Sequence, residues 1–207
     1  MVSKIVTYEK SKEEISGALL VAGKKLYGEN DYDFVTAVQE IGTLLEGTMA
    51  VGEIFQGPLG DEAARAALLE GVNQGASIVN FVGHGSNEIW ASLFSSDDAP
   101  DLTNGSKLPF FISMTCLNGF FHDLYTESLA EALMRAEQGG AVAVWASSGL
   151  TFPDAQHVIN QELIRQILSG GKMTVGQAAV RAKAATSDPD VRGTWILFGD
   201  PATRLKY

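Results

Sequence analysis

Short apolar runs that stop at glycine-bearing turns, each followed by a stretch of helical spacing, constrain this chain more than any other feature. Ala18–Ala22 is the first such run, and Gly23 closes it. Phe34, Val38, Ile41 and Leu45 then recur on one helix face until Gly47. Met49–Phe55 reads as a second strand. Gly60 and Asp61 open a helix with Ala64, Leu68 and Val72 on one side, and Gly75 ends it. Ile78–Val82, Pro109–Met114, Ala141–Ala146 and Thr194–Phe198 supply four more strands. Helical patterns run from about Thr126, through Ile159, Leu163 and Ile167, and from Val175 to Ala185. Strands alternating with helices imply an α/β fold with a mainly parallel sheet covered by helices. The stretch from Ser86 to Lys107 keeps no period and reads as a loop-rich excursion containing a small hairpin, and Asp188–Asp190 reads as a turn.

Chemistry is placed by where two strands end. His84 lies just past the third strand and Cys116 just past the fourth. In a parallel sheet the carboxyl ends share one edge, and ligands bind in the crevice outside it. The 32 positions between the two residues leave room for one crossover connection. A thiol attacks as the thiolate, and a neighbouring imidazole favours that form and shuttles protons. Gly83 and Gly85 flank the histidine, so that backbone could approach a bound carbonyl without a Cβ in the way. The amides of Gly85 and Cys116 are candidate donors to an oxyanion, worth ~3–4 kcal/mol per donor in other hydrolases. Taken alone, a single cysteine is more often a small buried hydrophobe; its placement opposite His84 reverses that expectation.

Val82-Gly83-His84-Gly85-Ser86 followed by Met114-Thr115-Cys116-Leu117-Asn118-Gly119 resembles the paired signature of gingipain-type cysteine peptidases, relatives of caspases. Glu127–Leu133 and Trp195–Pro201 resemble the same family, so the likeness runs from about Ala18 to the end. The resemblance implies a caspase-like three-layer sandwich with a six-stranded, mainly parallel sheet. It divides the chain into a lead-in or linker over residues 1–16 and a peptidase domain over residues 17–207. It further implies an endopeptidase with Cys116 as nucleophile, His84 as base and acid, Gly85 and Cys116 as the oxyanion hole, and a thioester acyl-enzyme. Met114, Ser147, Ser148 and Gly149 become candidates for the pocket holding the residue before the scissile bond. The family's acidic pocket residue has no fixed counterpart: Glu29–Asp33 and Asp154 all offer candidates, so preference for Arg or Lys is not inherited with the fold. The family also implies a polypeptide substrate and an exported, larger multidomain parent.

Composition trims the alternatives. With 25 acidic and 15 basic residues the net charge is −10, which disfavours a nucleic-acid partner. No stretch approaches the ~20 apolar residues that span a bilayer, and Met1–Lys4 lacks the apolar core of a secretory signal. One cysteine forbids an internal disulfide. No Gly-x-Ser-x-Gly elbow or phosphate-binding loop occurs. His122 lies six positions past Cys116, but zinc needs three or four close ligands, and His122 reads as a rim residue. His157 reads as an exposed histidine, and Trp90 and Trp145 as core residues. Asp97, Asp98 and Asp101 form an acidic loop in which structural calcium is an unsupported option; the expected chemistry requires no cofactor. Two competing readings stay open: a catalytically silent scaffold module of this fold, and a metal-assisted hydrolase using His84, Cys116 and His122.

Overall fold

The computed structural model describes residues 1–169 and 173–207. In chain order the elements are α1 (Val2–Lys10), β1 (Ala18–Ala22), α2 (Phe34–Leu45), β2 (Val51–Phe55), α3 (Gln56–Leu59), α4 (Asp61–Gln74) and β3 (Ile78–Val82). A hairpin of β4 (Ile89–Trp90) and β5 (Phe94–Ser95) precedes β6 (Phe110–Met114), α5 (Leu129–Arg135) and β7 (Ala143–Ser147). Three helices, α6 (Pro153–Leu168), α7 (Val175–Ala184) and α8 (Pro189–Thr194), lead to β8 (Trp195–Gly199).

The apolar runs pair as a six-stranded sheet of order β2-β1-β3-β6-β7-β8, in which only β8 runs antiparallel to its neighbour. Every residue of β3, β6 and β7 is buried, because helices cover both faces and side chains alternate between them. Ile78, Val82, Phe110, Ile112 and Trp145 pack toward α2, α6 and α7. Val79, Phe81, Phe111 and Val144 pack toward α4, α5 and the hairpin. This is the three-layer α/β sandwich with a six-stranded, mainly parallel sheet that the family resemblance implies. Trp90 lies in the second core, stacked on Phe81 with ring centroids 4.4 Å apart.

Three local expectations differ. Residues 1–16 carry a helix against the domain rather than a bare polar lead-in: Ile5 and Tyr8 are buried, and the Lys4 ammonium donates to the carbonyls of Leu133, Ala136 and Gly139 at 3.1, 3.1 and 2.8 Å. These are carbonyls at and beyond the end of α5, which a cation satisfies well. Helix α5 begins at Leu129 rather than near Thr126, because Ser128 and Glu131 form a reciprocal capping box. The Asp188 turn develops into α8, with Asp188 as N-cap accepting from the Val191 amide.

One polar pair bolts α6 to the sheet. Asn80 of β3 and Asn160 of α6 exchange amide hydrogen bonds at 2.6 and 3.1 Å, both side chains fully buried. Removing one partner leaves the other buried without its bond, at a cost of ~1–3 kcal/mol. Asn80→Ala should therefore lower the unfolding free energy by that much, read as a lower denaturation midpoint at unchanged denaturant slope, while the paired replacement Asn80→Val with Asn160→Leu should recover part of the loss. Equal stability of Asn80→Ala and wild type would show that the pair is not an anchor.

Candidate active site

The parallel pairing of β3 with β6 sets Val82 opposite Met114. His84 and Cys116 each follow their paired residue by two positions, so both leave the same edge of adjacent strands. The loops touch: a Cβ on Gly85 would fall 2.7 Å from the Thr115 hydroxyl oxygen. The Gly83 amide donates to the Met114 carbonyl at 3.2 Å.

His84 is held from three sides. Its Nε2 lies 3.0 and 2.9 Å from the two carboxylate oxygens of Asp31. Tyr27 and Phe34 meet the imidazole ring edge-on, each with centroids 5.0 Å away. A carboxylate accepts only, so it selects the tautomer protonated at Nε2 and leaves Nδ1 as the free lone pair. Withdrawal from water pushes the Asp31 carboxyl up, but bonds from His84 and the Leu26, Tyr27 and Tyr32 amides outweigh it and hold the group down at about 2. Its side chain is only 6% exposed, against 26% for His84.

Cys116 is half-buried, with Sγ 3.5 Å from the Thr151 carbonyl oxygen. Leu117 beside it has φ of 63°, a left-handed conformation that a leucine adopts at a cost of ~1–3 kcal/mol. Bonds to the exit of β7 hold it there: Leu117 N–H donates to Gly149 at 3.2 Å, and Gly119 N–H to Ser147 at 2.8 Å. Among the described residues, the amides of Gly85 and Cys116 donate to no other protein group.

The pocket candidates divide. Met114 is buried in the core beneath the site. Ser147, Ser148 and Gly149 form an internally bonded corner: Ser147 Oγ lies 2.9 Å from Thr194 Oγ1, and Ser148 Oγ donates to the Thr194 carbonyl at 3.0 Å. Of the acidic candidates, Asp31 is occupied by His84, and Asp33 caps α2 through Thr36. Asp154 stands exposed in the first turn of α6.

His122 is exposed beside Phe120 and Phe121. His157 is not the exposed histidine expected; it is largely buried, and its Nε2 lies 2.7 Å from Glu40 and 2.8 Å from Gln161. Among the described residues, no three His, Cys, Asp or Glu side chains gather to hold a metal. Asp98 of the acidic loop pairs instead with Arg65 and accepts from Ser95. No described helix is long and apolar enough to cross a membrane.

A family model described as peptidase family C25 matches residues 1–206. Gingipain R2 of Porphyromonas gingivalis is 33% identical over 156 residues, covering 67% of this chain and 21% of the relative. Gingipain R1 of the same species shows the same identity, with 15% of its length covered. Among solved structures, the Arg-specific cysteine proteinase gingipain R superposes with a TM-score of 0.77 at 25% identity, over 99% of this chain and 51% of the other. Saccharomyces cerevisiae separase, in complex with securin, shares the fold alone, with a TM-score of 0.63 at 11% identity over 99% of this chain and 13% of the other. The chain thus spans about a fifth or less of these curated relatives and about half of the solved gingipain chain.

Asp31 makes its hydrogen bonds as the anion, so its folded carboxyl titrates near 2 against an ordinary 3.8. A depressed carboxyl contributes stability that is complete above its unfolded value and lost as pH falls through its folded value. The stability difference between wild type and Asp31→Asn should therefore hold near neutral pH and close between about pH 4 and pH 2. Denaturant titrations at several pH values check this, and a gap constant through that window would contradict the assignment.

Proposed function

Because the chain belongs to peptidase family C25, we propose that it hydrolyses peptide bonds as a cysteine endopeptidase, with Cys116 as nucleophile and His84 as general base and acid. The observation that carries this reading is the oriented imidazole. Asp31 occupies Nε2 of His84, so the basic Nδ1 remains for the thiol on the adjacent strand exit.

In the first half-reaction the Cys116 thiol gives its proton to His84 Nδ1, and the sulfur attacks the substrate carbonyl carbon. The electron pair moves to oxygen, where the unspent amides of Gly85 and Cys116 are available as donors. Collapse of the tetrahedral species breaks the carbon–nitrogen bond. The amine leaves with the proton from His84, and a thioester on Cys116 remains. Water then attacks the thioester as His84 takes its proton, and collapse returns that proton to sulfur with release of the carboxylic acid. Asp31 stabilises the imidazolium formed in each half without accepting its proton. None of these steps calls on a metal or cofactor.

A unit of this kind predicts strong non-additivity. Cys116→Ala should abolish cleavage of a peptide library, His84→Ala should lose ~10³-fold or more, and the double variant should be little worse than Cys116→Ala. All three should remain folded by circular dichroism. Cleavage surviving in Cys116→Ala free of wild-type protein would remove the mechanism, and a wild type that cleaves no peptide while retaining its fold would favour the silent scaffold reading. Activity unchanged by chelators but abolished by a thiol-directed acylating probe would set aside the metal-assisted reading.

A further inference from the structure

We propose that Asn118 is a positioning residue that fixes the Cys116 loop against the His84 loop, an inference that rests on the peptidase reading above. Asn118 is fully buried two residues past the nucleophile. Its Oδ1 accepts from the indole N–H of Trp90 at 2.7 Å. Its Nδ2 donates to the carbonyl of Ser86, two residues past the histidine, and lies 3.5 Å from the carbonyl of Ile89. The chemistry fixes the amide's orientation: an indole nitrogen only donates and a carbonyl only accepts. One side of the position needs an acceptor and the other a donor, at the short reach of an asparagine.

Backbone bonds extend the bridge. The Asn118 amide donates to the Cys116 carbonyl at 2.9 Å, so the side-chain anchor acts one turn from the thiol-bearing residue. The Asn118 carbonyl accepts from Ala130 at 3.0 Å, and the Asn87 carbonyl accepts from Leu129 at 2.9 Å. The first turn of α5 therefore holds one carbonyl from each loop. Trp90 is itself immobilised between Phe81 and Phe94, with centroids 4.4 and 5.5 Å away. The second core thus passes its rigidity through one indole N–H to one amide, and from there to both strand exits. A misplacement of ~1 Å at a reacting pair can cost 10²-fold, and this bridge is placed to prevent it.

Asn118→Asp keeps the shape and the acceptor for Trp90 but turns a carboxylate oxygen toward the Ser86 carbonyl. Trp90→Phe keeps an aromatic ring on Phe81 and removes the donor that orients Asn118; it also opens space in the second core, so its kcat is read per folded molecule. Asn104→Asp is the matched control: Asn104 is also buried and donates to the carbonyls of Lys107 and Gly140, but it lies before β6, at the opposite edge of the sheet. The readouts are kcat and KM on a cleaved peptide, and the rate of Cys116 alkylation by iodoacetamide against pH, which reads the thiol and imidazole without a substrate.

Asn118→Asp should lower kcat about 10–100-fold with KM within about twofold, and move the alkylation profile toward that of an unassisted thiol. Trp90→Phe should do the same to a smaller extent, and it carries the test if Asn118→Asp does not fold. Asn104→Asp should lower the melting temperature and leave kcat per folded molecule and the alkylation profile unchanged. Wild-type kcat and profile in Asn118→Asp or, where that variant does not fold, in Trp90→Phe would overturn the role, as would equal losses in Asn104→Asp. A wild type that cleaves no peptide and alkylates as an unassisted thiol would remove the dyad itself, a failure distinguishable from loss of the bridge alone.

Discussion

The site depends on the register between β3 and β6. With Val82 opposite Met114, the chain emerges from two adjacent strands at the same height. A slip of one residue would do more than offset the loops. Side chains alternate with period two, so it would carry Phe81 or Phe111 into the opposite face. Both faces are filled, one by α2, α6 and α7 and the other by α4, α5 and the hairpin. Slippage therefore has no low-energy alternative, and core packing fixes where His84 and Cys116 leave the sheet.

Beyond the strands, the glycines serve close packing between protein segments. A Cβ on Gly83 would fall 2.6 Å from the Phe81 ring and 3.0 Å from the Gly23 Cα, and one on Gly85 would meet Ile89 and Thr115. These glycines let three strand exits approach one another, a different reason from the approach of a substrate carbonyl that the sequence suggests. Closeness of the exits has a price in backbone freedom, visible in left-handed Leu117. Hydrogen bonds to Ser147 and Gly149 offset that strain and tie the cysteine loop to the exit of β7, while Asn118 ties it to Trp90 of the hairpin.

The strands, and the placement of His84 and Cys116 at adjacent strand exits, are legible in the sequence because buried parallel strands are short unbroken apolar runs and each of these two residues follows such a run by two positions. Contacts across the strand order are not legible. Asp31 lies 53 positions before His84 in the loop after β1, and nothing local shows that β1 neighbours β3. A sequence with several acids near Asp31 offers no signal for choosing among them. His157 is misread for the same reason, since its partner Glu40 is 117 positions away across the α2–α6 seam. The docking of α1 escapes notice because only Ile5 and Tyr8 of its nine residues are buried, too few to raise a helical apolar pattern.

The same carboxylate that orients His84 also folds the loop around it. Asp31 accepts from the amides of Leu26, Tyr27 and Tyr32 as well as from the imidazole, at 2.8 to 3.2 Å for the amides. Tyr27, placed by one of those bonds, returns to pack its ring against His84. Loop conformation and imidazole orientation are thus one cooperative unit rather than two. A carboxylate offers about four lone-pair sites, and these four donors use them. A substrate guanidinium seeks a carboxylate with a free edge for paired bonds, and Asp31 has none to give. An acid that gives a preference for basic residues would have to lie outside this unit, such as the exposed Asp154 in the first turn of α6, because Asp33 spends both its oxygens on Thr36. Orienting the His84 imidazole therefore consumes this carboxylate and leaves it no free edge for a substrate cation.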